Sequence, residues 1–113
     1  MSALAEITAC VMNLNIPVQT GAFTDKPPDF YAVLTPLGDN FTLFGDNLPL
    51  AEVCEARISY FDKNNYTKNA KNIVKAALKA GFTVTDRRFI ERENETGYYH
   101  YAIDVAKDYI WEE

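Results

Sequence analysis

The sequence predicts an α+β domain in which two helices pack on a mostly antiparallel sheet. Three observations lead to this prediction. The lysine-rich segment between Asn64 and Gly81 has the apolar spacing of an amphipathic helix. The segment Val53–Phe61 alternates apolar and polar residues, as a half-buried strand does. The length of 113 residues fits one domain, Met1–Glu113, with a single core.

The first predicted helix runs from Ser2 to Asn13. Ser2 is a suitable N-cap residue, and apolar residues recur at helical spacing along one face: Leu4, Ile7, Val11 and Leu14. Pro17 cannot continue a helix and biases the preceding residue toward extended backbone. Ile16–Val18 is therefore predicted to leave the helix as a short extended segment.

A loop and a strand are predicted next. The loop covers Gln19–Asp29 and contains Gly21 and the adjacent pair Pro27 and Pro28, all residue types that favour turns. The eight residues FYAVLTPL, which begin at Phe30, are rich in β-branched and aromatic side chains and are predicted to form a strand.

The stretch GDNFTLFGDN, Gly38–Asn47, carries the same tripeptide at both ends. Gly, Asp and Asn favour turns, so the pattern predicts two turns that bracket a short strand or β-arm. Large apolar side chains on such an arm would be covered by a partner if they projected from a small domain. The interface candidates here are Phe41, Leu43, Phe44, Asp46 and Asn47.

A calcium loop of the EF type is not expected in this stretch. Such a loop alternates its ligands at positions 1, 3 and 5 and has glycine at position 6. Asp39 and Asp46 are instead separated by a mostly apolar run. No metal site is predicted.

The second helix is predicted to start at Asn64 or Asn65, either of which can cap it, and to run to about Ala80 before Gly81 stops it. Its apolar side is formed by Tyr66, Ala70, Ile73, Val74, Ala77 and Ala80. The opposite side carries Lys68, Lys71, Lys75 and Lys79. This lysine row is either a solvated helix side or a contact surface for an acidic partner or nucleic acid. Specific base recognition is not expected, because no aromatic residues lie between the lysines.

A β-hairpin is predicted over Phe82–Ala106, with its connection at Asn94–Gly97. The last seven residues, KDYIWEE, are predicted to form a tail or a short helical turn.

Composition and motifs argue against most chemical functions. The net charge of -5 is unusual for a free-standing nucleic-acid binder. Cys10 and Cys54 form no CxxC pair and are expected to be buried and reduced. No apolar run is long enough for a membrane span, and no signal peptide is expected. The sequence contains no nucleotide-binding or zinc-protease motif, so no catalytic residue and no cofactor are predicted.

The only histidine, His100, is expected on the sheet surface, with Tyr98 and Asp104 on the same face. Glu91, Glu93 and Glu95 alternate near three arginines, and nothing in their spacing favours acid–base catalysis.

Several segments in this order resemble one protein family. They are a helix that ends in NLNIPV, a proline-rich loop into FYAVL, GDN before a long strand that ends in ISYFDKNN, a helix that ends in ALKAGF, and a hairpin that ends in YYHYAIDVA. Together they resemble the small tail-completion, or tail-terminator, proteins of long-tailed phages and prophages of Gram-positive bacteria. The resemblance covers nearly the whole chain.

The resemblance implies a virion assembly protein with no enzymatic activity. Such proteins form a ring, commonly a homohexamer, that ends the tail tube at its head-proximal end and joins it to the head. The implied partners are further copies of the chain, the tail tube protein, a head-completion protein and DNA in transient passage. The implied ring and tube contacts lie in Gly21–Asp29 and Gly38–Leu50. Gly45-Asp46-Asn47 matches the family pattern, whereas the first copy of the tripeptide has no counterpart in it.

Two other functions remain open from the sequence. One is a small cytosolic binding or regulatory module without catalysis, which the acidic charge and small α+β layout would suit. The other is a small enzyme that uses His100 with an acid such as Asp104.

Overall fold

A computed structural model describes residues 3–19 and 27–111. The elements, in chain order, are α1 (Ala3–Met12), β1 (Val18–Gln19), β2 (Phe30–Gly45), β3 (Leu48–Asp62), α2 (Tyr66–Lys79), β4 (Thr83–Arg92) and β5 (Tyr99–Ile110).

The five strands form one sheet in the order β1-β2-β3-β5-β4. β1 runs parallel to β2, and the other neighbouring strands are antiparallel. Buried residues of both helices share one core cluster with residues of β2, β3 and β5, including Ile7, Ile73, Ile58 and Ile103. The predicted α+β fold, a mostly antiparallel sheet with two helices, is therefore confirmed.

β3 lies at the centre of the sheet and confirms the predicted alternation. Cys54, Ala56, Ile58 and Tyr60 are buried, while the residues between them are half-buried. Since successive side chains of a strand point to opposite faces, the even-numbered residues of β3 face the helices. The other face of the sheet, called the open face below, carries the odd-numbered residues of β3.

The prediction of two turns around FTLF is wrong for the first of them. β2 continues through Gly38–Asn40 as strand, after a register irregularity between Pro36 and Gly38. Only the second copy forms a turn, in which Asp46 and Asn47 have φ of 52° and 65°. Two successive positive φ values are typical of the tight turn that matches the twist of a hairpin. FTLF therefore belongs to one long β2–β3 hairpin.

The prediction of a tail or helical turn at KDYIWEE is also wrong. β5 continues to Ile110, because Lys107–Ile110 pairs with Ala51–Cys54 of β3. The Trp111 backbone N–H then donates to the Leu50 carbonyl at 2.9 Å. The pairing of distant segments decides this end of the chain, and local sequence carries little of that information.

The second half of the chain confirms the local predictions. The Asn65 side chain accepts a hydrogen bond from the Thr67 N–H and caps α2. Gly81 follows the helix with φ of 93°, and Gly97 lies in the β4–β5 connection with φ of 81°. Such values favour glycine because it has no Cβ.

Part of the predicted N-terminal structure lies outside the described residues. This applies to the cap at Ser2 and to most of the predicted loop, residues 20–26. Within the described part, Ile7 and Val11 of α1 are buried as predicted.

Candidate interaction site

The distal half of the β2–β3 hairpin, Gly38–Leu50, is called the arm below. The molecule measures 54 × 27 × 24 Å. Its length agrees with a 16-residue strand, which spans roughly 50 Å at about 3.3 Å per residue. The arm is therefore one end of an elongated molecule.

Large apolar side chains are exposed along the arm. The exposed fraction is 64% for Phe44 and 49% for Phe41. Leu48 and Leu50 on the returning strand are also exposed. By strand alternation Phe44 lies on the open face of the arm and the other three lie on the opposite face, so both faces of the arm carry exposed apolar residues. Exposed apolar residues of this size are typical of a surface that meets a partner. The exposure of these residues agrees with the interface hypothesis. The side chain of Leu43, the remaining apolar candidate, is not among those that the structure describes.

The two phenylalanines of the arm differ in their surroundings. Phe41 packs edge-to-face on Trp111, with ring centroids 4.7 Å apart and an interplanar angle of 84°. Phe44 is opposite Pro49 on the other side of the hairpin, one residue before the turn. The turn residues Asp46 and Asn47 are exposed. The apolar surface at the tip of the arm is thus bordered by polar turn side chains.

Pro27 and Pro28 lie at the opposite end of β2 from the arm tip. Both are half-buried. The Pro28 carbonyl accepts a hydrogen bond from the Tyr98 hydroxyl at 2.5 Å. The structure therefore separates these two interface candidates from the arm by most of the length of the molecule.

The lysine row, Lys68, Lys71, Lys75 and Lys79, is exposed along α2 as predicted. Lys75 and Lys79 border a groove of about 490 Å³ that also touches Cys10 and Leu14 of the first helical segment. α2 contains no acidic residue, whereas the arm contains Asp39 and Asp46 and no lysine or arginine. The chain therefore carries opposite charges on two separate surfaces.

A salt bridge connects two strands on the open face. Arg57 Nε donates to Asp104 Oδ1 at 2.7 Å, and Arg57 Nη2 donates to Oδ2 at 3.0 Å. Asp86 and Arg88 form a second pair beside it. Hydrogen bonding from Arg57 lowers the pKa of Asp104 below its ordinary value of 3.8, against the opposing effect of burial. The geometry is that of a two-point arginine–carboxylate bond.

Replacement of Asp104 with asparagine is expected to lower the free energy of unfolding at pH 7 by about 1–2 kcal/mol. This value is discounted for the 34% exposure of the Arg57 side chain. A lowered folded-state pKa stabilises the fold above the ordinary pKa of 3.8, and this contribution is lost as pH falls through the folded value. Urea unfolding across pH 2–7 should therefore show the full stability difference between the two chains well above pH 3.8, and the two chains should converge as the pH falls below that value.

Asp108→Asn is the matched control for this measurement, because Asp108 is an exposed aspartate on the same strand and the same face. It should change the free energy of unfolding by no more than about 0.5 kcal/mol. Equal losses in the two variants would contradict a specific contribution from the Arg57–Asp104 bond.

His100 is half-buried on the open face, which it shares with Asp104 as predicted. Its ring stacks on Phe61 with centroids 4.3 Å apart, and its Nε2 atom is buried without a hydrogen-bond partner among the described residues. Burial lowers the pKa of His100 below its ordinary value, against the opposing effects of Glu93 and Glu91. The Asp104 carboxylate is bonded to Arg57, and the described contacts include no pairing of His100 with Asp104.

A group of potential metal ligands is present that sequence reasoning missed. Three potential ligand atoms lie within 4.8 Å of one another: one carboxylate oxygen of Asp39, one carboxylate oxygen of Glu52 and the thiol sulfur of Cys54. Cys54 is buried and Cys10 is half-buried, and neither forms a disulfide. Burial first, and then the neighbouring Asp39, raise the pKa of the Cys54 thiol to about 12. No spacing motif marks this group, because its members come from two strands whose register the sequence does not reveal.

No family model matches the chain, and no curated protein matches it. Within residues 3–19 and 27–111, neither helix has the length and apolar character needed to cross a membrane.

Proposed function

We propose that this protein is a phage assembly protein of the tail-completion type. It ends the tail tube and forms the head-proximal ring to which the head is joined. The observation that carries the proposal is the arm, where Phe41 and Phe44 stand exposed at one end of an elongated domain. Exposed apolar residues in this arrangement favour an assembly surface over a catalytic one. The resemblance in segment order supplies the identity of the assembly.

A ring needs two different surfaces on each subunit, because head-to-tail contacts join unlike patches. The arm is apolar and acidic, and α2 presents a row of lysines beside a groove. Charge complementarity between such surfaces guides the encounter of two copies and sets their orientation. The arm of one copy and the helical side of the next are therefore the surfaces assigned to the ring contact.

The remaining partners follow from the same role. The tail tube protein and a head-completion protein meet the two sides of the ring, which is a hexamer by the family resemblance. DNA passes through the lumen transiently, and an acidic subunit suits that role because a basic lumen would retain DNA. The protein is in the host cytoplasm before assembly and at the head-proximal end of the tail afterwards.

Deletion of the gene from its source phage or prophage is expected to give tails of abnormal length beside unattached, DNA-filled heads. The reason is that nothing would stop tube growth or present a docking surface to the head. Electron microscopy of induced lysates measures both features, and expression of the wild-type chain in trans is the control that should restore normal particles.

Other outcomes of the deletion would contradict this proposal in distinct ways. Tails of normal length beside heads that leak DNA would place the protein on the head side of the joint. Intact, normal virions would overturn the assembly role and favour a cytosolic binding or regulatory module that uses the same arm.

A further inference from the structure

Three side chains with metal-binding atoms converge at the base of the arm. Glu52 and Cys54 are two residues apart on β3, so their side chains point to the same face of the sheet. Asp39 is directly opposite Cys54 on the neighbouring strand. Their ligand atoms all lie within 4.8 Å of one another. Small side-chain rotations are enough to bring atoms at this separation around one ion.

A β-bulge brings Asp39 to this position. Pro36 is paired with Ala56, and Gly38 is paired with Glu55, so Leu37 is an extra residue in β2. Without the extra residue, Asp39 would be opposite Val53 and would lie on the open face. The bulge shifts it to the face that carries Cys54, which is how bulges commonly redirect functional side chains. The first Gly-Asp-Asn copy therefore positions a ligand, and the second copy makes the turn.

The three side chains have no alternative partners among residues 3–19 and 27–111. Neither Asp39 nor Glu52 takes part in an ion pair there. Lys107, which is opposite Cys54 on β5, donates instead to Glu6 at 2.7 Å and to the Ala80 carbonyl at 2.9 Å. Within the described residues, neither carboxylate is therefore neutralised by a basic side chain.

The thiol of Cys54 faces these carboxylates from the interior of the domain. Cys54 is only 9% exposed, and its thiol is within hydrogen-bonding reach of both Asp39 and Glu52. All three side chains border a cavity of about 200 Å³, together with Leu4 and Tyr109. A cavity of this size holds an ion and several water molecules. The site therefore has a buried sulfur, two carboxylates and access from solvent.

We infer that Asp39, Glu52 and Cys54 bind one divalent transition-metal ion of the zinc type. Cysteine sulfur and carboxylate oxygen are both common zinc ligands, and a water molecule completes a four-coordinate site. A sulfur ligand disfavours calcium and magnesium, which take oxygen ligands. On binding, the thiol releases its proton to solvent and the sulfur forms the metal bond.

The ion joins β2 to β3 where the arm begins. Asp39 comes from one strand of the hairpin and the other two ligands come from its partner strand. A bond across the hairpin at this point restrains the direction in which the arm extends. This inference concerns the purified chain and does not depend on the proposed function.

Titration of the purified, tag-free chain with Co²⁺ under reducing, anaerobic conditions tests the site. One Co²⁺ per chain should bind and produce a sulfur-to-cobalt charge-transfer band, which Zn²⁺ should then displace. Cys54→Ser should abolish the band. Asp39→Asn and Glu52→Gln should each weaken Co²⁺ binding. Loss of a residue that only supports a metal ligand typically lowers metal affinity by about 10- to 100-fold, and loss of a ligand itself should cost at least as much. Since Asp39 is exposed, its variant should keep the wild-type circular dichroism spectrum.

Matched controls make the result specific to these three residues. Cys10→Ser removes the other thiol and Asp46→Asn removes the other aspartate of the arm, and both should bind Co²⁺ as the wild type does. Absence of the band in the wild-type chain would overturn the inference. So would a band that survives in Cys54→Ser, or equal affinity in Asp39→Asn and the wild type.

Discussion

Replacement of Phe44 with aspartate is expected to leave the monomer folded and to block head–tail joining. Phe44 is 64% exposed, so the folded chain loses little burial when the ring is removed. In an assembled ring the same position would be covered, and a carboxylate there would be buried without a partner, which is strongly unfavourable. An aromatic anchor at an interface contributes about 2 kcal/mol or more, which corresponds to a loss of about 30-fold in affinity. In the proposed ring this loss would be repeated at every subunit contact.

Complementation of the deleted gene measures this effect. The Phe44→Asp chain should keep the wild-type unfolding midpoint and should yield fewer than about a thirtieth of the joined particles, counted by electron microscopy. Phe41→Asp should act in the same direction. It should also destabilise the monomer by about 0.5–1.5 kcal/mol, because the ring contact with Trp111 is lost.

Ile90→Asp is the control for a non-specific effect of a new surface charge. Ile90 is an apolar residue, 39% exposed, on β4 at the far edge of the sheet. Its replacement should leave particle numbers unchanged. Normal particles from the Phe44→Asp chain would show that the arm has no part in joining, and equal losses from Ile90→Asp would show that the arm is not a specific contact.

Elements encoded by local signals were predicted well from the sequence. α2 is the best example: the apolar spacing, the cap at Asn65 and the stop at Gly81 all act within a few residues, and the structure confirms each of them. The alternation along β3 was equally clear, because a strand with helices on one face needs one buried side. The interface hypothesis for Phe41 and Phe44 depended on an exposure that the sequence left open, and the structure shows both side chains exposed.

Features that depend on pairing between distant segments were missed. The bulge at Leu37 has no local signature, and without it the side of the sheet that Asp39 occupies could not be known. The strand at Lys107–Ile110 forms because Ala51–Cys54 offers an edge, which is information from a remote part of the chain. The group of Asp39, Glu52 and Cys54 depends on the same register and was therefore not visible as a motif.

Replacement of Ile58 with alanine is expected to produce the largest loss of stability among the changes considered. Ile58 is fully buried at the centre of β3, paired with Leu34 on one side and with Ile103 on the other. It belongs to the same core cluster as Ile7 of α1 and Ile73 of α2. Truncation removes buried apolar groups and leaves a cavity between the sheet and the two helices. The loss of these groups and the cavity together cost about 3–4 kcal/mol. The free energy of unfolding of an ordinary domain is about 5–15 kcal/mol, so this loss is a large share of it.

Urea unfolding measures this loss as a lower midpoint with an unchanged slope, because the surface exposed on unfolding is nearly the same. Ile110→Ala is the matched control: the chemical change is identical, but Ile110 is 82% exposed, and its replacement should cost less than about 0.5 kcal/mol. A small effect at Ile58 would contradict a core centred on β3. Because Ile58 lies beneath both helices and Phe44 lies on the arm, the two replacements separate loss of the fold from loss of assembly. The first should lower the midpoint in the isolated chain, and the second should reduce joining at an unchanged midpoint.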